Sequence, residues 1–184
     1  MSLLASCKKS ENPYLFTIVV LALSTGARKN EILRLKWGDI HFDRSQIVLH
    51  ETKNGDRRVI PLRGYAMDLI QQHQKVQILG CPYVFPSKSF KKDASGRPIY
   101  QSIDIRTAWE SALKIASIKD FRFHDLRHSA ASYLAMNGAS LAEIAEVLGH
   151  KPLSMVKRYA HLSEAHTSKV VAKMNEKIFK SYGD

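Results

Sequence analysis

Between residues 14 and 24 nearly every position is apolar, which predicts a helix buried on all sides at the centre of a fold. Asn12 and Pro13 ahead of it suit an N-cap and a first helical residue, and Thr25-Gly26 closes it. A short second helix follows, with Glu31, Ile32, Leu33 and Leu35 as its body. From Asp39 the period shortens. Residues 41–42, 46–50 and 58–62 read as strands, joined by Asp43-Arg44-Ser45 and by Asn54-Gly55, a pair that tolerates positive φ. The three strands make a small antiparallel meander.

Helical patterning returns over 64–79, with Met67, Leu69, Ile70 and Val76 apolar, and Gly80-Cys81-Pro82 stops it. Residues 83–86 read as an extra strand, and 87–98, rich in Lys, Ser, Gly and Asp, as a mobile basic loop. A helix from Ser102 carries Ile105, Trp109, Ala112 and Ala116 at helical spacing, with Trp109 in the core. The helix after Phe123 has Leu126, Ala130, Tyr133 and Leu134 as its stripe and ends at Asn137-Gly138. Ser140 and Glu143 form a capping box for a helix that buries Leu141, Ile144, Ala145 and Leu148 and stops at Gly149. Pro152 restarts a short helix with Leu153, Val156 and Ala160 inward and Tyr159 at the stripe's edge. A last helix, 163–180, sets Val170, Met174 and Ile178 on one side, to dock on its own core or on a neighbouring subunit. The class is α+β, mainly α: a helical core beside a three-stranded antiparallel sheet. Residues 1–12 read as a flexible lead-in or expression remnant, 13–180 as one domain and 181–184 as a tail.

Charge narrows the function. Of 184 residues, 28 are Lys or Arg and 17 Asp or Glu, a formal net charge of +11. That balance favours a polyanionic partner, nucleic acid first and an acidic membrane surface second. The apolar run at 15–23 is too short to span a membrane, and the first residues do not read as a signal peptide. Cys7 and Cys81 lack ligand spacing and suit reduced thiols in a cytoplasmic protein.

Candidate chemistry gathers late in the chain, where His124-Asp125-Leu126-Arg127, Leu148-Gly149-His150 and Tyr159 supply imidazole, guanidinium and phenol. A guanidinium fork suits phosphate oxygens. A phenol, with a free pKa near ~10, attacks phosphorus only with cationic help. Earlier, Arg28 and Glu31 share a helical face, as an oriented cation or as an ordinary capping pair. Lys53 lies on the shoulder of the Asn54-Gly55 turn, where most lysines are simply solvated.

The ordered set Thr25-Gly26-Ala27-Arg28-Lys29-Asn30-Glu31-Ile32, Lys53, His124-Asp125-Leu126-Arg127-His128, Leu148-Gly149-His150 and Tyr159 resembles the catalytic domain of tyrosine recombinases, the phage integrase and Xer-like family. The match runs from Pro13 to about Leu162. The resemblance implies an integrase-like catalytic fold and site-specific recombination of double-stranded DNA, for integration or excision of a phage or mobile element. It implies Tyr159 as nucleophile forming a 3′-phosphotyrosyl link, with Arg28 and Arg127 on the non-bridging oxygens. Lys53 would protonate the leaving 5′ oxygen, His124 assist proton transfer, His150 bond the phosphate and Glu31 support the site. No metal, nucleotide or other cofactor is implied. Family members usually carry an upstream DNA-binding domain. Its absence here leads us to expect weak DNA binding and a monomer for this fragment alone, while the resemblance implies a tetramer on DNA for the full-length protein.

Three other readings share features. Residues 130–150 look like a helix-turn-helix, which would read the major groove without chemistry but leaves Arg28, Lys53 and Tyr159 unexplained. His124 and His128 have the spacing of a zinc site, but Arg127 between them opposes a cation. A type IB topoisomerase would use nearly the same chemistry, and the short length and Leu148-Gly149-His150 favour the recombinase group over it.

Overall fold

The apolar run becomes α2, Leu15–Thr25, in a computed structural model that describes residues 2–50, 57–87, 91–149 and 152–180. Leu15, Ile18, Val19 and Leu21 are almost fully buried, as a helix without a polar face demands. Gly26 ends it at φ 60°, a left-handed position that glycine occupies without strain.

The chain divides into two units, Met1–Arg127 and His128–Asp184. In the first, α2 is flanked by α1 (Leu3–Lys8) and α4 (Gly64–Gln74), and α1 also packs on α5 (Arg106–Ile115). α1 replaces the flexible lead-in expected for residues 1–12. Its stripe is only Leu3 and Cys7, too short to register as a period, yet Cys7 is buried and Ser2 caps the helix by accepting from the Ala5 amide. α3 is Lys29–Leu33. The sheet follows in the order β1 (Ile40–His41), β2 (Gln46–Leu49), β3 (Arg58–Pro61), all antiparallel, with Ile47 opposite Ile60 and Leu49 opposite Arg58. Ser45, at φ 52°, closes the first turn. The Asn54-Gly55 turn and Lys53 lie outside the described residues.

Three expectations for the first unit change. α4 stops at Gln74 instead of 79, leaving Val76 and Leu79 exposed. Residues 83–86 form no strand: Tyr83 and Pro86 make single bridges to Lys36 and Ser102, while buried Phe85 stacks on His73. Part of the presumed mobile loop is a hairpin, β4 (Lys91–Lys92) with β5 (Pro98–Ile99). Asp93 organises its turn, accepting from the Ser95 and Arg97 amides while Gly96 supplies φ 81°. α5 begins at Arg106 rather than 102, its first amide bonded to Asp104. Trp109 is buried against Phe123, as its spacing predicts.

The unit boundary falls within α6, Asp125–Met136. The second unit then holds α7 (Leu141–Leu148), two 3-10 stretches (Leu153–Met155 and Lys157–Ser163) and α8 (Glu164–Phe179). Its small core is Ala131, Ala135, Ile144, Ala145, Leu148, Val156 and Tyr159. The capping box forms as read: the Ser140 hydroxyl accepts from the Glu143 amide, and the Glu143 carboxylate accepts from the Ser140 amide. Gly149 is left-handed at φ 65°. Gly138 is also left-handed, at φ 88°, with the His166 ring lying against it. Tyr133 is largely exposed rather than part of the stripe. Val170, Met174 and Ile178 are each about half exposed, so α8 does not bury them in the core of its own unit. No helix among the described residues is long and apolar enough to cross a membrane.

Ile144 has 0% exposure in a small core that it shares with Ala131, Ala135, Ala145, Leu148, Val156 and Tyr159, so removing its side chain leaves a void at the centre of that core. Ile144→Ala is expected to cost about 2–5 kcal/mol in urea denaturation. Val170→Ala, on the exposed face of α8, is expected to change stability by no more than about 0.5 kcal/mol.

Candidate active site

The turn after α2 positions two arginines. The Thr25 hydroxyl donates back to the Leu21 carbonyl (2.6 Å) and accepts from the Ala27 amide (3.2 Å), so the reversal at Gly26 is held from both sides. The Gly26 carbonyl, freed from the helix ladder, accepts from Nη1 of Arg127 at 2.6 Å. Arg127 is only 3% exposed. A guanidinium so buried needs bonded partners to offset its lost hydration, and this carbonyl is one of them. The same turn delivers Arg28, two residues on.

Arg28 is oriented by Glu31. The Glu31 carboxylate accepts from the Arg28 backbone amide (2.7 Å) and from its Nη1 (2.9 Å). The other oxygen also takes Nη2 of Arg58 at 2.7 Å. One carboxylate therefore holds two guanidiniums. Arg58 is buried and the Glu31 side chain keeps only 9% exposure, while the Arg28 side chain keeps 30% and is the member that faces solvent. Burial pulls Arg58 below the usual arginine range; the Glu31 charge opposes this and the Arg28 charge adds to it. Charge stays on the group regardless, because an arginine does not deprotonate in a protein.

A broad open cleft of about 1140 Å³ runs past this group, lined by Arg28, Glu31 and His124 among others. Lys29, Arg34 and Lys36 line it too, against Asp39 and Glu31, so its walls are net positive. Of the residues expected at the site, the first unit brings Arg28, Glu31 and His124 to one cleft, and Arg127 to the carbonyl of the turn that presents Arg28. Lys53 and His150 lie outside the described residues. In the second unit, Tyr159 occupies the 3-10 stretch Lys157–Ser163 and is 6% exposed. Its Oη lies 2.6 Å from Nδ1 of His128.

Two residues of this arrangement escape a reading by motif. Arg58 had a visible signal: it shares strand parity with Ile60, so the pattern that buries Ile60 also points an arginine inward. An inward cation needs a carboxylate, and Glu31 supplies it. His128 follows the motif arginine directly and fits an inward, hydrogen-bonded histidine better than a zinc ligand, but its partner is not legible in the sequence: its Nδ1 is engaged by the Tyr159 phenol.

Residues 1–166 match the model of the phage integrase family. This chain belongs to that family. It is 35% identical over 158 residues to the integrase of Salmonella phage P22, an alignment covering 82% of this chain and 40% of the relative. Identity is 34% over 155 residues to a shufflon-specific DNA recombinase of Escherichia coli, with 84% of this chain and 36% of that protein covered. The chain thus spans well under half the length of these relatives. Among solved structures, the catalytic domain of bacteriophage HP1 integrase is similar over 95% of this chain and 89% of its own, at 29% identity and a TM-score of 0.68. A XerA recombinase shares the fold at 21% identity and a TM-score of 0.69, across 94% of this chain and 61% of its own. The α+β, mainly helical architecture with its three-stranded sheet is that of the HP1 domain, as the sequence led us to expect.

The Glu31 bridge makes a stability prediction. Glu31→Gln removes the carboxylate charge that the Arg28 and Arg58 guanidiniums share, and is expected to cost about 3 kcal/mol. Arg58→Met removes the buried charge and keeps most of the volume, and is expected to cost less than half as much. Urea midpoints of the two variants measured side by side test the ordering.

Proposed function

We propose that this chain is the catalytic part of a site-specific DNA recombinase that cuts and rejoins double-stranded DNA through a 3′-phosphotyrosyl intermediate, in the integration or excision of a phage or mobile element. The observation that carries the proposal is the cleft on which Arg28 and His124 open, with Arg127 bonded to the adjoining turn. Family membership supports it. Such a group suits a phosphodiester in its transition state, when negative charge on the non-bridging oxygens grows.

In this reading Arg28 and Arg127 hold those two oxygens. The Tyr159 oxygen attacks phosphorus, the bond to the 5′ oxygen breaks, and Lys53 returns a proton to that oxygen. His124 assists proton movement and His150 adds a hydrogen bond to the phosphate. Glu31 stays out of the chemistry and keeps Arg28 aimed. The phosphotyrosyl bond conserves the energy of the broken link, so a new 5′ hydroxyl displaces the tyrosine without ATP. The full-length protein acts as a tetramer on DNA in the cytoplasm, and this chain alone binds duplex weakly as a monomer.

The test is a covalent trap. Nicked duplexes of randomised sequence, from which the short cleaved strand diffuses away, are incubated with the protein and then denatured. The expected result is a protein–DNA adduct mapping to Tyr159, absent in Tyr159→Phe and reduced about 100-fold or more in Arg127→Ala. An adduct of undiminished yield in Tyr159→Phe contradicts the reading. Duplex binding is expected to weaken steeply between 50 and 200 mM salt as phosphate contacts release counterions, roughly in proportion to the number of contacts.

A further inference from the structure

Tyr159 is not simply a phenol awaiting a substrate. Its Oη is 2.6 Å from Nδ1 of His128, in a partly buried pair 31 positions apart in sequence. The rings lie 6.3 Å apart at 40°, so the contact runs through the polar atoms and not through ring stacking. Apolar side chains surround the tyrosine: Ile144, Ala145, Leu148 and Val156 share its core. Beside that core the His128 ring nitrogen lies within hydrogen-bond reach of the phenol, and an imidazole nitrogen is able to accept a proton.

We infer that His128 is the immediate proton acceptor and positioning residue of Tyr159, an inference that rests on the nucleophilic role proposed for that tyrosine. In the Nε2-protonated tautomer, Nδ1 accepts from the phenol. As the Tyr159 oxygen forms its bond to phosphorus, its O–H bond breaks and the proton passes to Nδ1, giving an imidazolium. The 5′ oxygen leaves and takes its own proton from a separate acid. In rejoining, the 5′ hydroxyl attacks, the phosphorus–tyrosine bond breaks, and the imidazolium returns its proton to the phenolate.

A general base of this kind is worth roughly 10²–10⁴-fold in rate. His128→Asn keeps a short polar group near the place of Nδ1 but does not accept the proton. With the randomised nicked duplexes, it is expected to form the Tyr159 adduct about 100-fold more slowly than the unaltered protein. Replacing Tyr159 by a ring-fluorinated tyrosine, whose phenol is more acidic, is expected to restore most of that loss. A purely structural role for His128 predicts no such rescue. A second measurement needs no His128 variant: the ¹⁵N resonance of Nδ1 is expected to move between the unaltered protein and Tyr159→Phe. Equal adduct rates with and without His128→Asn, a loss that the acidic phenol leaves unrepaired, or coincident Nδ1 resonances each overturn the inference while leaving the recombinase reading in place. Failure of the unaltered protein to form any Tyr159 adduct overturns both.

Discussion

Two guanidiniums share one carboxylate, and the candidate site depends on that sharing. Like charges brought close together repel each other, the more so away from bulk water. Glu31 offsets this repulsion for Arg28 and Arg58 together, with bonds of 2.9 and 2.7 Å, and a third bond ties it to the Arg28 amide. Because the Arg58 and Glu31 side chains are only 8% and 9% exposed, their ion pair is screened less by salt and water than a surface pair is. The outcome is an uneven division of labour. Arg58 spends its charge inside the protein, and Arg28 keeps part of its surface in solvent.

Arg127 reaches the same neighbourhood by another device. The left-handed residue that ends α2 turns its carbonyl away from the helix, and the buried guanidinium donates to it. A helix terminus with an unsatisfied acceptor and a cation without hydration thus meet each other's needs. The cleft beside them is net positive by side-chain count. In the second unit the chemistry is of another kind: a phenol and an imidazole bonded to each other over a core of small apolar residues. The adjacent residues Arg127 and His128 therefore serve different units, one bonded to Gly26 and the other to Tyr159.

Much of this was legible in the order of residues. The all-apolar α2, the three-stranded meander, the Ser140–Glu143 box and the glycine stops at 26 and 149 follow from local rules that act within one turn of chain. The Arg28–Glu31 pair was legible for the same reason. Arg127's partner was not, because a hydrogen bond to Gly26 spans 101 positions and leaves no local trace. His128's contact with Tyr159 is hidden likewise. Arg58 is intermediate, since strand parity shows it facing inward but not which carboxylate receives it. α1 was missed because a six-residue helix offers too few positions to display a period, and its stability comes from packing on α2 and α5. The exposed apolar face of α8 shows the converse: a clear period states that a face exists, not what covers it.

The claim beneath the rest is that Arg28 and Arg127 serve to neutralise charge on the phosphate. The most direct measurement replaces one non-bridging oxygen at the nick-proximal linkage by a methyl group, which removes the negative charge and leaves the geometry. Adduct formation is then compared for the unaltered protein and Arg127→Ala on the charged and the neutral linkage. Charge neutralisation predicts that the variant's defect largely disappears on the neutral linkage. A defect of the same size on both linkages contradicts it.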